Sequence, residues 1–211
     1  GFADPSDPFM PITAITVHLQ WLDALITLAV PPKTLTMAEA KEQTKEWGEE
    51  CVLFEKEGDM LQAFLDLIED SDIITGWNSK YFDVPYLINR TKKILGENVI
   101  KRFSPWNIVD EDQAYHNGRQ VTFFRLLGIA QLDYLQLYAK FTIKNQERYT
   151  LDHIAFVELG EQKDKNPYDT FKEWYQNDIQ SFIDYNIVDV ELVDKLEDRL
   201  QLIELAITMS Y

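Results

Sequence analysis

The 211-residue sequence has a single cysteine, Cys51, so it can form no intramolecular disulfide and no cysteine-based zinc site. That excludes a secreted disulfide scaffold and indicates a reducing compartment. Histidine is nearly as scarce. His18, His116 and His153 are scattered, with no pair on one helical turn. There is no Gly-rich phosphate loop and no Gly-x-Ser-x-Gly elbow. With 8 glycines and 8 prolines, collagen-like and low-complexity readings are excluded. No stretch reaches the roughly 18 apolar residues of a membrane span, because Trp21 to Pro32 is interrupted by Asp23 and ended by Pro31-Pro32. The start lacks an initiator Met, a basic n-region and an apolar h-region, so the expectation is a cut inside a longer protein. Positive charge is also short, 20 Lys and Arg against 36 Asp and Glu, a formal charge of −16. As a total, this argues against a free-standing nucleic-acid binder, which needs cations to displace the counterions of phosphate.

What is present suits one large α/β domain. The sequence is 45% hydrophobic and 13% aromatic, enough for a packed core. The negative total also hides a split. Residues 89–148 carry a net +4 (ten basic, six acidic), and the remainder carries −20. A basic middle inside an acidic frame fits a surface facing a polyanion, and equally fits a solvated mixed-charge face.

β-branched alternation predicts strands at Ile12–Leu19 and Leu25–Val30, with a short one at Cys51–Phe54. Met37–Trp47 favours helix, and Asp59–Ile68 places apolar residues at helical spacing. Asp72–Trp77 reads as a strand running into a Gly turn, followed by a helix at Val84–Ile94. Asn107–Leu127 reads as two extended runs around Asn117-Gly118, a strong hairpin signal. A strand at Ile129–Asp133, a helix at Tyr134–Phe141, a helix at Thr150–Leu159 capped by Thr150, and one long helix from Gln180 to about Thr208 complete the pattern. Strands interleaved with helices imply a mixed sheet packed by helices.

With other chemistries excluded, carboxylates remain. Asn78, Phe82 and Asp83 sit at the mouth of a strand-end turn, where functional polar groups concentrate. Asp83 reads equally as the N-cap of the following helix, with Pro85 in its first turn. Tyr185 and Asp189, four apart, project side by side at the margin of the Ile183–Ile187–Val190 stripe, with Asp184, Glu191 and Asp198 on the opposite, solvated side. A carboxylate at such a margin needs a proton, a partner or a metal, unless it reaches out to water.

Ile74-Thr-Gly-Trp-Asn-Ser-Lys-Tyr-Phe-Asp-Val-Pro-Tyr-Leu-Ile-Asn-Arg90 resembles the second exonuclease motif of family B DNA polymerases of T-even-type phages. Leu132-Asp-Tyr-Leu-Gln-Leu-Tyr138, Tyr149-Thr-Leu-Asp152 and Tyr185-Asn-Ile-Val-Asp-Val190 continue the resemblance in order, and Phe2–Thr16 is similar to the segment after the first motif. It covers nearly the whole chain, weakest at 34–50 and 161–174.

The resemblance implies a proofreading 3′→5′ exonuclease domain over residues 1–211, with an RNase H-like mixed sheet flanked by helices and an inserted β-hairpin at about 107–127. It implies catalytic Asp83, Asp189 and Tyr185, with Asp83 and Asp189 as ligands of two divalent ions, Mg²⁺ or Mn²⁺. Asn78, Phe82 and Phe2 would bind the substrate, the single-stranded 3′ end of a DNA primer. The implied partners are the polymerase domains of a parent chain and, through it, a replisome clamp; the implied location is the cytoplasm of an infected bacterium, with no membrane. The first-motif Asp and Glu have no match and would lie upstream of Phe2, so this polypeptide alone is expected to be nearly inactive. The alternative is a non-catalytic nucleic-acid-binding or interaction module on the same fold.

Overall fold

The β-branched run near the start forms β1 (Ala14–Leu19), which turns back through a Trp21–Asp23 corner into β2 (Ala24–Ala29). The two pair antiparallel, Ala14 opposite Ala29 and Leu19 opposite Ala24. The computed structural model describes residues 4–116, 118–161 and 166–209. Their chain divides into two units, one built from Ile12–Met60 and Glu147–Leu200, the other from the described parts of Gly1–Pro11, Leu61–Gln146 and Gln201–Tyr211.

In the first of these units β2 also pairs in parallel with β3 (Cys51–Leu53), making a mixed three-stranded sheet in the order β1-β2-β3. Between β2 and β3 lies α1 (Met37–Gln43), started by a capping box in which Thr36 and Glu39 satisfy each other's backbone N–H groups. The helix expected to reach Trp47 stops early. Lys45–Glu50 is a 3₁₀ helix interrupted at Gly48, whose φ of +51° only glycine adopts without strain. Thr150 caps α5 (Leu151–Leu159) as its sequence predicts, accepting the His153 N–H at 3.4 Å. A helix the sequence reading did not foresee, α6 (Phe171–Asn177), follows behind a Thr170 cap. The unit closes with α7 (Ile179–Leu200). Its Ile179, Ile183 and Ile187 form a core with Ala29 of β2 and Cys51 of β3.

After α2 (Glu57–Ile68), which forms where the helical spacing predicts it, the other unit holds β4 (Ile73–Gly76) and β7 (Ala130–Asp133), paired in parallel with Gly76 opposite Asp133. From the ends of these strands spring α3 (Asp83–Leu95), after a six-residue loop, and α4 (Tyr134–Phe141), directly. The expected hairpin is present as β5 (Val109–His116) and β6 (Arg119–Leu126), antiparallel in full register. Its turn residue Asn117 lies outside the described residues; Gly118 supplies a positive φ of 75°. The terminal segment Pro5–Met10 is held along α3. Tyr86 Oη donates to the Met10 carbonyl (2.8 Å), Asn89 Nδ2 to that of Pro5 (2.8 Å), and the buried Arg90 to those of Pro8 and Phe9.

Two sequence expectations change here. The strands form three small sheets among the described residues, rather than one mixed sheet. The single tail helix is broken, because Gln201 takes a left-handed φ of +51° and a separate α8 (Leu202–Met209) follows. Among the described residues no helix is long and apolar enough to cross a membrane.

Candidate functional site

The second-motif loop begins where β4 runs out at Gly76. A side chain at Gly76 would come within 3.1 Å of the Ser79 Cβ, so the glycine permits a tight return. Asn78 follows in the left-handed region at φ +60°. Its carbonyl accepts the N–H groups of Tyr81 and Phe82, and the Ser79 carbonyl accepts that of Val84 at 2.9 Å. These bonds wind the loop into α3. Phe82 occupies the N-cap position without a capping side chain, and Asp83 is the first helical residue. The capping alternative for Asp83 therefore fails, and its exposed carboxylate stands at the positive end of the helix. Phe82 is 39% exposed, its ring stacked 6.1 Å from Tyr86.

This loop is anchored from one side by Asp133, a residue that sequence reasoning passed over. The Asp133 carboxylate is 3% exposed and accepts four backbone N–H groups: Asn78, Leu135 and Gln136 on Oδ1, and Lys80 on Oδ2. Burial pushes its carboxyl above the usual carboxylate range, and the four donors pull against that shift. An Asp closing a strand before an apolar helical run was the available signal. Trp77 packs against Tyr134 and Tyr138 of α4 at 6.4 and 6.2 Å. The Lys80 ammonium lies 4.6 Å from the centre of the Phe123 ring on β6.

In the other unit, the stripe of α7 places Tyr185 and Asp189 half-buried on one face, as their spacing predicts. Oδ1 of Asp189 is shielded from solvent. Tyr185 sits in an aromatic cluster, 5.1 Å from Trp174 and 5.8 Å from Phe171, which is 54% exposed. Burial, then the charges of Asp189 and of Asp152 at the start of α5, push the Tyr185 phenol up, further from titrating near neutral pH. Asp184, expected on the solvated side, instead accepts Trp47 Nε1 and Gln180 Nε2, each at 2.7 Å. Glu191 is half-buried in an acidic cleft with His18, Glu50 and Asp194, whereas Asp198 is exposed as expected.

The candidate residues thus form two groups: Asn78, Phe82 and Asp83 on one loop, and Tyr185 with Asp189 on one helical face. Phe2 lies outside the described residues. Carboxylate and phenol oxygens suit hard divalent cations. Among the described residues, however, no three His, Cys, Asp or Glu side chains gather closely enough to hold a metal ion. Part of the basic middle is engaged within the protein. Arg90 is buried against carbonyls, Lys92 pairs with Glu97, Lys93 with Asp7, Arg102 with Asp66, and Arg125 with Asp110 and Asp112.

Residues 1–154 match the family described as DNA polymerase family B, exonuclease domain. The chain is 38% identical over 161 residues to the DNA-directed DNA polymerase of Enterobacteria phage T4, covering 75% of this chain and 18% of that protein. It is 32% identical over 235 residues to the DNA-directed DNA polymerase of Escherichia phage RB69, covering 100% of this chain and 25% of that one. Similarity extends to the DNA polymerase delta catalytic subunit of Bos taurus, 36% identical over 126 residues, 56% of this chain and 11% of that subunit. The chain therefore spans a quarter or less of the length of these relatives, and it belongs to the exonuclease-domain family of the family B DNA polymerases.

Proposed function

We propose that the chain is the proofreading 3′→5′ exonuclease domain of a viral DNA-directed DNA polymerase, with an RNase H-like fold, acting on the frayed 3′ end of a primer in the cytoplasm of an infected bacterium. The observation that carries this reading is the half-buried Tyr185–Asp189 pair on α7, in a chain whose residues 1–154 match an exonuclease family.

In this reading Asp189 and Asp83 hold divalent cations, Mg²⁺ or Mn²⁺, through oxygen donors that suit them. When bound, such ions supply hydroxide and stabilise the leaving 3′-oxygen. Tyr185, protonated at neutral pH like any tyrosine of ordinary or raised pKa, donates a hydrogen bond to the attacked phosphate or its water. Phe82 offers an exposed ring to the terminal base and Asn78 orients the primer end, while Phe2 supplies a second aromatic. The polymerase domains of a parent chain deliver the strand and connect it to a clamp.

Two carboxylates are fewer than a metal pair needs. The 211-residue polypeptide is accordingly expected to bind single-stranded DNA and to degrade it very slowly. The test incubates it with a labelled oligonucleotide and Mg²⁺ or Mn²⁺, and separately measures binding. Stacking of a base on an aromatic ring contributes about 1–3 kcal/mol, so Phe82→Ala should weaken binding by about 5- to 150-fold. Unchanged binding would refute the substrate role of the loop. Rapid 3′→5′ degradation abolished by Asp189→Ala would refute the inactivity of this polypeptide while upholding the site.

A further inference from the structure

Among the described residues, Asp133 is the only acidic side chain that is buried. Capping α4 explains part of its geometry, since Leu135 and Gln136 donate to Oδ1 as they would to any Asp cap. Capping does not explain the rest. Oδ1 also accepts the Asn78 N–H at 3.1 Å, and Oδ2 turns away from the helix to accept the Lys80 N–H at 3.1 Å. One carboxylate therefore joins the first turn of α4 to the loop that leaves β4, a juxtaposition set by the parallel register that puts Gly76 opposite Asp133.

The loop needs such a tether. Asn78 holds a left-handed conformation, which asparagine tolerates better than other residues with a Cβ but which is one basin among several open to it. Its carbonyl and that of Ser79 are the acceptors on which Tyr81, Phe82 and Val84 wind into α3. The backbone of Asn78–Lys80 thus sets where Phe82 and Asp83 point. Two further contacts hold the same segment against the β7–α4 corner. Thr75 Oγ1 donates to the Leu132 carbonyl at 2.6 Å, and Trp77 packs on Tyr134 and Tyr138.

We propose that Asp133 is a positioning residue for the nuclease loop, holding the Asn78–Lys80 backbone so that Phe82 and Asp83 face the DNA end. This rests on the reading of Asn78, Phe82 and Asp83 as the substrate-facing group. Asp133→Asn separates the two jobs of the carboxylate. The amide oxygen can still accept at the Oδ1 position, but its NH₂ then confronts the Lys80 N–H, donor against donor.

The experiment has two arms, both on the 211-residue chain. Amide hydrogen exchange should show protection at Lys80 falling at least tenfold in Asp133→Asn, with Leu135 and Gln136 keeping theirs. Loss confined to Leu135 and Gln136, or no loss at Lys80, overturns the proposal in favour of a helix cap alone. The second arm is a double-mutant cycle on single-stranded oligonucleotide binding. Phe82→Ala should weaken binding of the parent chain about tenfold, yet by less than twofold in an Asp133→Asn background, because the ring is already misdirected there. A full Phe82→Ala effect in that background refutes the positioning role alone. No Phe82→Ala effect in the parent chain refutes the substrate-facing reading itself, and the positioning role for DNA falls with it.

Discussion

Ile183 tests how α7, the helix that carries Tyr185 and Asp189, is held to its sheet. The side chain has 0% exposure and packs with Ala29 of β2, Cys51 of β3 and its helical neighbours Ile179 and Ile187. Ile183→Ala removes three buried carbons, a transfer loss of about 2.4 kcal/mol at about 0.8 kcal/mol per methylene. A residual cavity of about 40 Å³ adds roughly 1 kcal/mol at about 24 cal/mol per Å³. The better helix propensity of alanine offsets about 0.4 kcal/mol of this. The expected net destabilisation is about 3 kcal/mol, which for a chain of this length lowers the unfolding midpoint by about 6–12 °C. Ile183→Val should cost only about 0.5–1.5 kcal/mol. Urea unfolding followed by circular dichroism reads both. The control is Ile207→Ala on α8, the same change at a side chain that is 39% exposed, with a smaller expected effect of about 1 kcal/mol. Equal losses at Ile183 and Ile207 would refute the seating of α7 on β2 and β3.

Two further outcomes concern single side chains. The Tyr175 hydroxyl donates to the Val30 carbonyl at 2.6 Å, and burial pushes its phenol up to about 12. Between the ordinary tyrosine range near pH 10 and that value, the folded chain keeps a proton the unfolded chain has lost. Stability is thus unaffected by this group below pH 10 and falls as pH rises toward 12. Tyr175→Phe should flatten that alkaline slope and cost about 1 kcal/mol at neutral pH, both measured by denaturant titration across pH; an unchanged slope would contradict the burial argument. At the junction of α7 and α8, Gln201→Gly should stabilise the chain by up to about 1 kcal/mol, because glycine adopts φ +51° without the clash a side chain brings. A lower unfolding midpoint in that variant would show the strain argument to be wrong.

Much of this architecture was legible in the sequence, for local reasons. β-branched alternation marked β1 and β2, and Thr150 marked the start of α5. Asn117-Gly118 marked the connection between β5 and β6, where Gly118 takes a positive φ that is a local demand. The Tyr185–Asp189 face followed from helical spacing alone. What remained hidden depended on partners distant in sequence. Nothing at Gln201 signals a break, as it is neither glycine nor proline. Asp184 looked solvated until Trp47 was folded against it. Asp133 drew no reading of its own from the sequence, and only the pairing of β4 with β7 brings Asn78 and Lys80 to it. The same applies to charge: a net +4 over residues 89–148 counts cations, and the fold decides how many are already bound to Asp7, Asp66, Glu97, Asp110 and Asp112.

The clasp of α3 on Pro5–Met10 is built mainly from side-chain donors on the helix and main-chain acceptors on the extended segment, with the exposed Lys93–Asp7 ion pair beside them. Carbonyl oxygens are common to every amino acid, so these bonds read spacing and ignore identity. The clasped segment can therefore drift in sequence while keeping its alignment with the helix that begins at Asp83, provided no residue is inserted or deleted. Tyr86, Asn89 and Arg90 carry the opposite burden, because a shorter side chain at any of them strands a carbonyl. Tolerance to substitution should be lopsided across this contact, wide on Pro5–Met10 apart from Asp7 and strict on the helix, with length as the property the segment cannot change.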